Sequence, residues 1–147
     1  MNAFLEKHIN FLVAWFGLFQ IGHLLVLGWF LWNPTETLKH LQPPEGWTSQ
    51  SVEILIGWSL TDGTLAIISL LAVWSWFAGT ERASKWVLVT VNLSFYSAIL
   101  FLVVNWRLGT FGNSPALSSL AFVGYLPINF LAYILFIRAD AGEIPDE

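Results

Sequence analysis

One carboxylate stands deep inside an apolar segment of this chain, in Trp58-Ser59-Leu60-Thr61-Asp62-Gly63. A charge near a bilayer midplane costs roughly 3 kcal/mol on insertion scales, so such residues face a cavity or a partner rather than lipid. On a helix, Ser59, Asp62, Ala66 and Ser69 fall on one side, a small and polar stripe of the kind that packs toward a bundle interior. Three other segments carry polar residues at similar depth. Gln20 and His23 are three apart, with Leu27 four residues further on the same face; Asn92 and Tyr96 are an i, i+4 pair; Tyr125, Asn129 and Tyr133 repeat every four residues. Pro127 leaves a carbonyl one turn earlier without its usual donor.

Two chemistries suit this set. A carboxylic acid kept in an apolar cavity holds its proton near neutral pH and can deliver it to a weak base such as an alkene. Deep aromatics, here Trp58, Tyr96 and Trp15, could then stabilise a carbocation through their π faces. That arrangement is the one expected for double-bond migration or cyclisation of a sterol or isoprenoid. Equally, an ionised Asp62 could hold the amine of a cationic amphiphile with no reaction at all. His23 has three readings: a hydrogen bond to Asp62, a ligand to a cofactor metal, or a satisfied interior histidine. The protein alone supplies no metal site, because no His, Cys or carboxylate stands three or four residues after His23, and His8 and His40 lie near opposite ends. Glu53, about half a rotation from Asp62 and about 13 Å along the helix, belongs to the interface. Ser59, Ser69, Asn92 and Asn129 taken singly read as interhelical glue, worth about 0.6 to 2 kcal/mol each.

The elements that must position these groups follow from composition. With 147 residues, 56% hydrophobic, 16% aromatic and 11% charged, the chain carries more apolar surface than a soluble domain of this size covers. It reads as an integral membrane protein. The net charge of -4 is spread over ends and loops without a basic run for nucleic acid, and the absence of cysteine excludes disulfides and thiolate chemistry. Four apolar segments are predicted as transmembrane helices, at about 9–32, 51–78, 84–106 and 116–137. The first is read as a retained helix rather than a cleaved signal. Asn33-Pro34 stops it, and residues 33–50, with Pro34, Pro43, Pro44 and Gly46, are read as a loop lying on the membrane surface. The expected fold is therefore all-α, a single four-helix transmembrane bundle with antiparallel neighbours and both termini on the same side. Lys7, Arg82, Lys85 and Arg138 on that side, against Lys39 and Arg107 opposite, place the termini in the cytoplasm. Tryptophans agree: Trp29, Trp32, Trp47 and Trp106 mark one interface, Trp74, Trp76 and Trp86 the other.

Short runs in this order resemble the EXPERA superfamily, which groups emopamil-binding protein, a sterol double-bond isomerase, with the four-helix sigma-two receptor type. His23-Leu24-Leu25-Val26-Leu27-Gly28-Trp29-Phe30 is similar to the isomerase's His-Leu-three-residues-Gly-aromatic-Phe run. The acid at Asp62, followed by the short turn and Lys85-Trp86, resembles the sigma-two type. Tyr96-Ser97-Ala98-Ile99-Leu100-Phe101 resembles the family's Tyr-three-residues-Leu-aromatic-Phe pattern, and Tyr125, Pro127, Asn129 and Arg138 complete it across residues 15 to 140. The chain departs from the isomerase in having Leu27 where that enzyme has a second carboxylate, Asn105 where it has an acid, and Asn129 after rather than before proline. The resemblance thus implies a lateral cavity for a sterol-like or isoprenoid ligand more than sterol isomerisation itself.

The leading expectation is a lipid-binding bundle with Asp62 as acid or counter-charge and His23 and Asn92 as its orienting partners, the two catalytic positions of any isomerase or cyclase being Asp62 and His23. Gln20, Trp58, Ser59, Asn92, Tyr96, Tyr125 and Asn129 are the expected ligand contacts, with no cofactor and no metal. The expected partner is a membrane lipid or sterol-like small molecule, with a homodimer or larger membrane complex open. From a different class comes a non-catalytic accessory subunit of a larger, pigment-containing complex, for which nine tryptophans and twelve phenylalanines offer broad aromatic faces. A proton channel or transporter is the third reading, without an internal repeat or charged relay in its favour.

Overall fold

A computed structural model describes residues 3–39, 46–107 and 115–140. Among the described residues every regular element is helical. They are α1 (Ala3–Trp32), α2 (Pro34–Lys39), α3 (Ser49–Phe77), α4 (Ala83–Arg107) and α5 (Pro115–Asp140).

The expected loop at 33–50 is in part helix, and the reason is local. Asn33 closes α1 through its backbone N–H to the Trp29 carbonyl (3.0 Å) while its side-chain oxygen accepts from the Glu36 N–H (3.3 Å), capping α2. Pro34 then occupies the first helical position, where its missing donor is not needed. The Thr37 hydroxyl adds a bond to the Asn33 carbonyl at 3.0 Å, and Thr37 and Leu38 are buried. Trp47 anchors the return by donating its indole N–H to the Leu38 carbonyl at 3.0 Å. Thr48, extended, accepts from the Ser51 N–H at 3.1 Å and starts α3 two residues earlier than expected. The expected residues 40–45 of the connection lie outside the described residues.

Gly79, in the left-handed region at φ 68°, ends α3. Its N–H meets the Trp76 carbonyl (3.1 Å) and the Thr80 N–H meets the Ser75 carbonyl (3.2 Å), the double closure that a glycine at this position permits. The chain turns directly into α4.

The long helices form a ring in which α1 packs against α3 and α5, and α4 packs against the same two. Asn10 bonds Trp76 and His23 bonds Asp62, so α1 and α3 are antiparallel; Ser69 with Ser94 and Asp62 with Ser97 make α3 and α4 antiparallel. The buried core fills the half nearest the α3–α4 turn. Ile9, Leu12, Val13 and Phe16 meet Ala72, Val87, Val91, Ile128, Leu131 and Leu135 there. Small residues allow close approach: a Cβ on Gly17 would lie 3.0 Å from Val73 Cγ1. Many outward positions are apolar, among them Leu18, Leu25, Leu71 and Phe136.

Three helices are long and apolar enough to cross a membrane, over His8–Trp32, Ser49–Phe77 and Ala83–Val104. The fourth is shorter in its described apolar part, Val123–Arg138.

Candidate functional site

Asp62 lies thirteen residues after the start of α3 and fifteen before its end, about 20 Å from either by helical rise. Its two carboxylate oxygens are each engaged from a different helix. His23 of α1 places Nε2 2.9 Å from Oδ2, and Ser97 of α4 donates its hydroxyl to Oδ1 at 2.6 Å. The side chains of His23 and Asp62 keep 29% and 15% of their exposure, so the pair is enclosed but not sealed.

One helical turn toward the α3–α4 turn, a second polar layer is fully buried. Gln20 donates through Nε2 to Ser94 Oγ (3.2 Å), Ser94 Oγ stands 3.5 Å from Ser69 Oγ, and Ser69 in turn donates to the Leu65 carbonyl (2.8 Å). Tyr125 of α5 reaches in and donates to the Ser94 carbonyl at 2.8 Å. Ser94 is thereby touched from the other three long helices. Among the described residues, no buried side-chain nitrogen or oxygen lacks a partner, as expected where an unmet polar group would cost more than its bond returns.

Aromatic rings flank both layers. Phe19 stands edge-on to Tyr125 at 4.9 Å and 6.3 Å from His23. It presses so closely on α5 that a Cβ at Gly124 would lie 2.8 Å from Phe19 Cε2. Trp15 of α1 donates its indole N–H to the Gly124 carbonyl at 3.0 Å. On the other side, Trp58 precedes Asp62 by four residues and Phe101 follows Ser97 by four, so the two rings meet 5.4 Å apart, one turn above the acid. Leu27 packs against the Gly63 backbone: a Cβ there would be 3.7 Å from Leu27 Cδ1.

Several expected site residues are gathered here and several are not. Asp62, His23, Gln20, Tyr125 and Trp58 belong to the array. Ser59 is half-buried on the same helix but takes no part in the bonds to Asp62. Asn92 is a correction: it is exposed, and its amide donates to the Leu88 carbonyl of its own helix at 2.7 Å, so it does not orient Asp62. Tyr96 is 63% exposed, and Asn129 and Tyr133 also face outward, because the buried face of α5 is Ile128, Leu131 and Leu135. Ser97 and Ser94 are the residues that sequence reasoning passed over. Thr90, Ser94 and Ser97 recur at four and three residues with Val87 and Val91, all on the face of α4 opposite Asn92.

Chemically, the array offers a hydrogen-bonded His–Asp pair in which one imidazole nitrogen is engaged by Asp62. Each carboxylate oxygen retains a second lone pair. Among the described residues no three His, Asp or Glu side chains come together to hold a metal ion. Compared with protein-family models, with curated proteins and with solved structures, the chain matches none.

Proposed function

We propose that the chain is a multi-pass membrane protein, a four-helix bundle with both termini in the cytoplasm, that binds a sterol-like or isoprenoid lipid by its polar end at the His23–Asp62–Ser97 array. The observation that carries this reading is that three helices each bring one polar side chain to a single half-enclosed point at middle depth. An amphiphile's hydroxyl or amine has there a carboxylate and an imidazole to bond, and the Trp58–Phe101 pair lies where its first ring or prenyl unit would rest. The resemblance of the His23, Asp62 and Tyr96–Phe101 runs to the EXPERA pattern agrees with this ligand class.

If the site turns its ligand over, the reaction is double-bond migration or cyclisation. A proton from the His23–Asp62 pair adds to one alkene carbon, the adjacent carbon becomes cationic, and a proton lost from the neighbouring carbon returns to the pair. The π faces of Trp58 and Phe101 are the groups placed to stabilise the cation.

Thermal stabilisation of the purified protein by a panel of sterols and isoprenoid alcohols tests the proposal. The Asp62→Asn variant keeps the size of the side chain but loses the acid, and should bind about tenfold more weakly, the equivalent of about 1.4 kcal/mol. A variant that is stabilised as much as the unchanged protein would refute a binding role for Asp62.

A further inference from the structure

We infer that water and protons reach the His23–Asp62 pair only from the α2 end of the bundle, and that the end holding the α3–α4 turn is closed to them. The inference rests on the pair being the working site proposed above, but not on the identity of its ligand.

The closure has two parts. The first is the saturated layer directly beneath the pair. Ser94 Oγ accepts from Gln20 and stands 3.5 Å from Ser69 Oγ, whose own proton goes to the Leu65 carbonyl. A chain of hydroxyls that ends on a backbone carbonyl cannot hand a proton further. Gln20, Ser69 and Ser94 are all buried, and among the described residues no buried side-chain nitrogen or oxygen is left unpartnered to hold a water. The Tyr125 hydroxyl of α5 donates to the Ser94 carbonyl and ends there too.

The second part is dry. From Gln20 to Ile9, about 16 Å along α1, the interior consists of Phe16, Val13, Leu12 and Ile9 against Val87, Val91, Ile128, Leu131 and Leu135. The hydroxyl at that level, Thr90, is occupied by the Trp86 and Val87 carbonyls of its own helix. A water needs two to four polar partners to settle inside a protein, and this stretch offers it none.

Toward α2 the packing differs. Leu24, Leu27, Leu55 and Trp58 are only half-buried and Phe101 is exposed. The pair, with 29% and 15% of its side-chain exposure kept, thus stands on the less tightly packed side of the saturated layer. At α2 itself, Glu36 and Lys39 pair with each other. The pair is thus a one-sided site, with no through path for protons or ions among the described residues.

The chain has no cysteine, so single ones can report access in the otherwise unchanged chain. Leu27→Cys and Ser97→Cys report the level of the pair and above, Ser69→Cys and Val13→Cys the layers below. Lys39→Cys and Thr80→Cys mark the two sides. Each variant, checked for an unchanged melting profile, is placed in phosphatidylcholine vesicles and exposed to a membrane-impermeant methanethiosulfonate from one side at a time. Leu27→Cys, which leaves the pair intact, and Ser97→Cys should react at least tenfold faster from the side that labels Lys39→Cys. Ser69→Cys and Val13→Cys should stay unreacted from both sides. Reaction of Ser97→Cys or Ser69→Cys from the Thr80 side would overturn the inference, and so would inertness of both Leu27→Cys and Ser97→Cys from either side. A failure of the lipid proposal appears separately, as ligand stabilisation that survives Asp62→Asn while the labelling pattern stands.

Discussion

The contact between Phe19 and Gly124 holds α5 against α1 at the base of the site, and its energy can be worked out from the geometry. A methyl group at Gly124 would fall 2.8 Å from Phe19 Cε2 and 3.1 Å from Cδ2, well inside van der Waals distance. The ring cannot simply swing away, because Tyr125 stands edge-on to it at 4.9 Å. Gly124→Ala therefore carries an overpacking cost of about 1 to 3 kcal/mol. Against it stands the helix preference of alanine over glycine, about 1 kcal/mol. The single variant should be destabilised by about 0 to 2 kcal/mol, the difference of these two effects. Phe19→Leu alone loses the aromatic pair, about 0.5 to 1.5 kcal/mol, but also removes the obstructing ring. In that background Gly124→Ala should become stabilising by up to about 1 kcal/mol. The four proteins form a double-mutant cycle with an expected coupling of about 1 to 3 kcal/mol in favour of the double variant. Reversible unfolding in bicelles measures all four corners. Additivity within about 0.5 kcal/mol would refute the close approach of Phe19 to the α5 backbone, and with it the placement of Tyr125 beneath the acid.

Three further outcomes follow from the same geometry. Asn92→Ala, Tyr96→Phe and Asn129→Ala change outward-facing residues and should leave lipid-induced thermal stabilisation unchanged within about twofold in affinity; a tenfold loss for any of them would overturn the inward faces assigned to α4 and α5. Ser97→Ala removes the 2.6 Å bond to Asp62 and should lower unfolding stability by about 1 kcal/mol, whereas Ser59→Ala, outside the array, should have no measurable effect in the same assay. Trp47→Phe loses the indole bond to the Leu38 carbonyl and should cost about 1 kcal/mol, read as faster proteolysis within the α1–α3 connection with unchanged ligand response.

The long helices were legible because length and apolar content alone define them, and Asn33-Pro34 and Gly79 mark their ends with specific backbone chemistry. What went unread at 33–50 was α2: its prolines argue for a loop, yet Pro34 follows an asparagine that can cap, and a proline in the first helical position starts a helix instead of breaking one. The faces were legible where a polar residue had small neighbours. Asp62 with Ala66 and Ser69 points inward because those residues let a neighbouring helix approach. On α4 the larger polar groups misled. Asn92 and Tyr96 look like site residues by type, but an asparagine can satisfy its amide on its own helix, as Asn92 does, and then needs no interior. Short hydroxyls behave the other way. Ser94 and Ser97 fit between packed helices and bond across them, and their spacing with Val87, Thr90 and Val91 carries the inward face that the bulkier residues obscured.

Why α3 carries an acid at all can be argued from the second layer. Gln20, Ser94 and Ser69 join α1, α4 and α3 with neutral groups, every donor satisfied, and such bonds suffice to fix helix register. A further layer of the same kind one turn higher would hold the helices equally well. Instead that turn has Asp62 and His23, two titratable groups whose removal from water costs several kcal/mol per ion when charged, against which a neutral Asn–Ser contact would cost little. The costly pair also sits where packing loosens, above the sealed half and still 29% and 15% exposed, rather than in the core where it would contribute most to rigidity. Cost and position together separate the two layers: the buried one has what is needed to hold the bundle, and the half-open one has the chemistry and the access that the proposed ligand site requires.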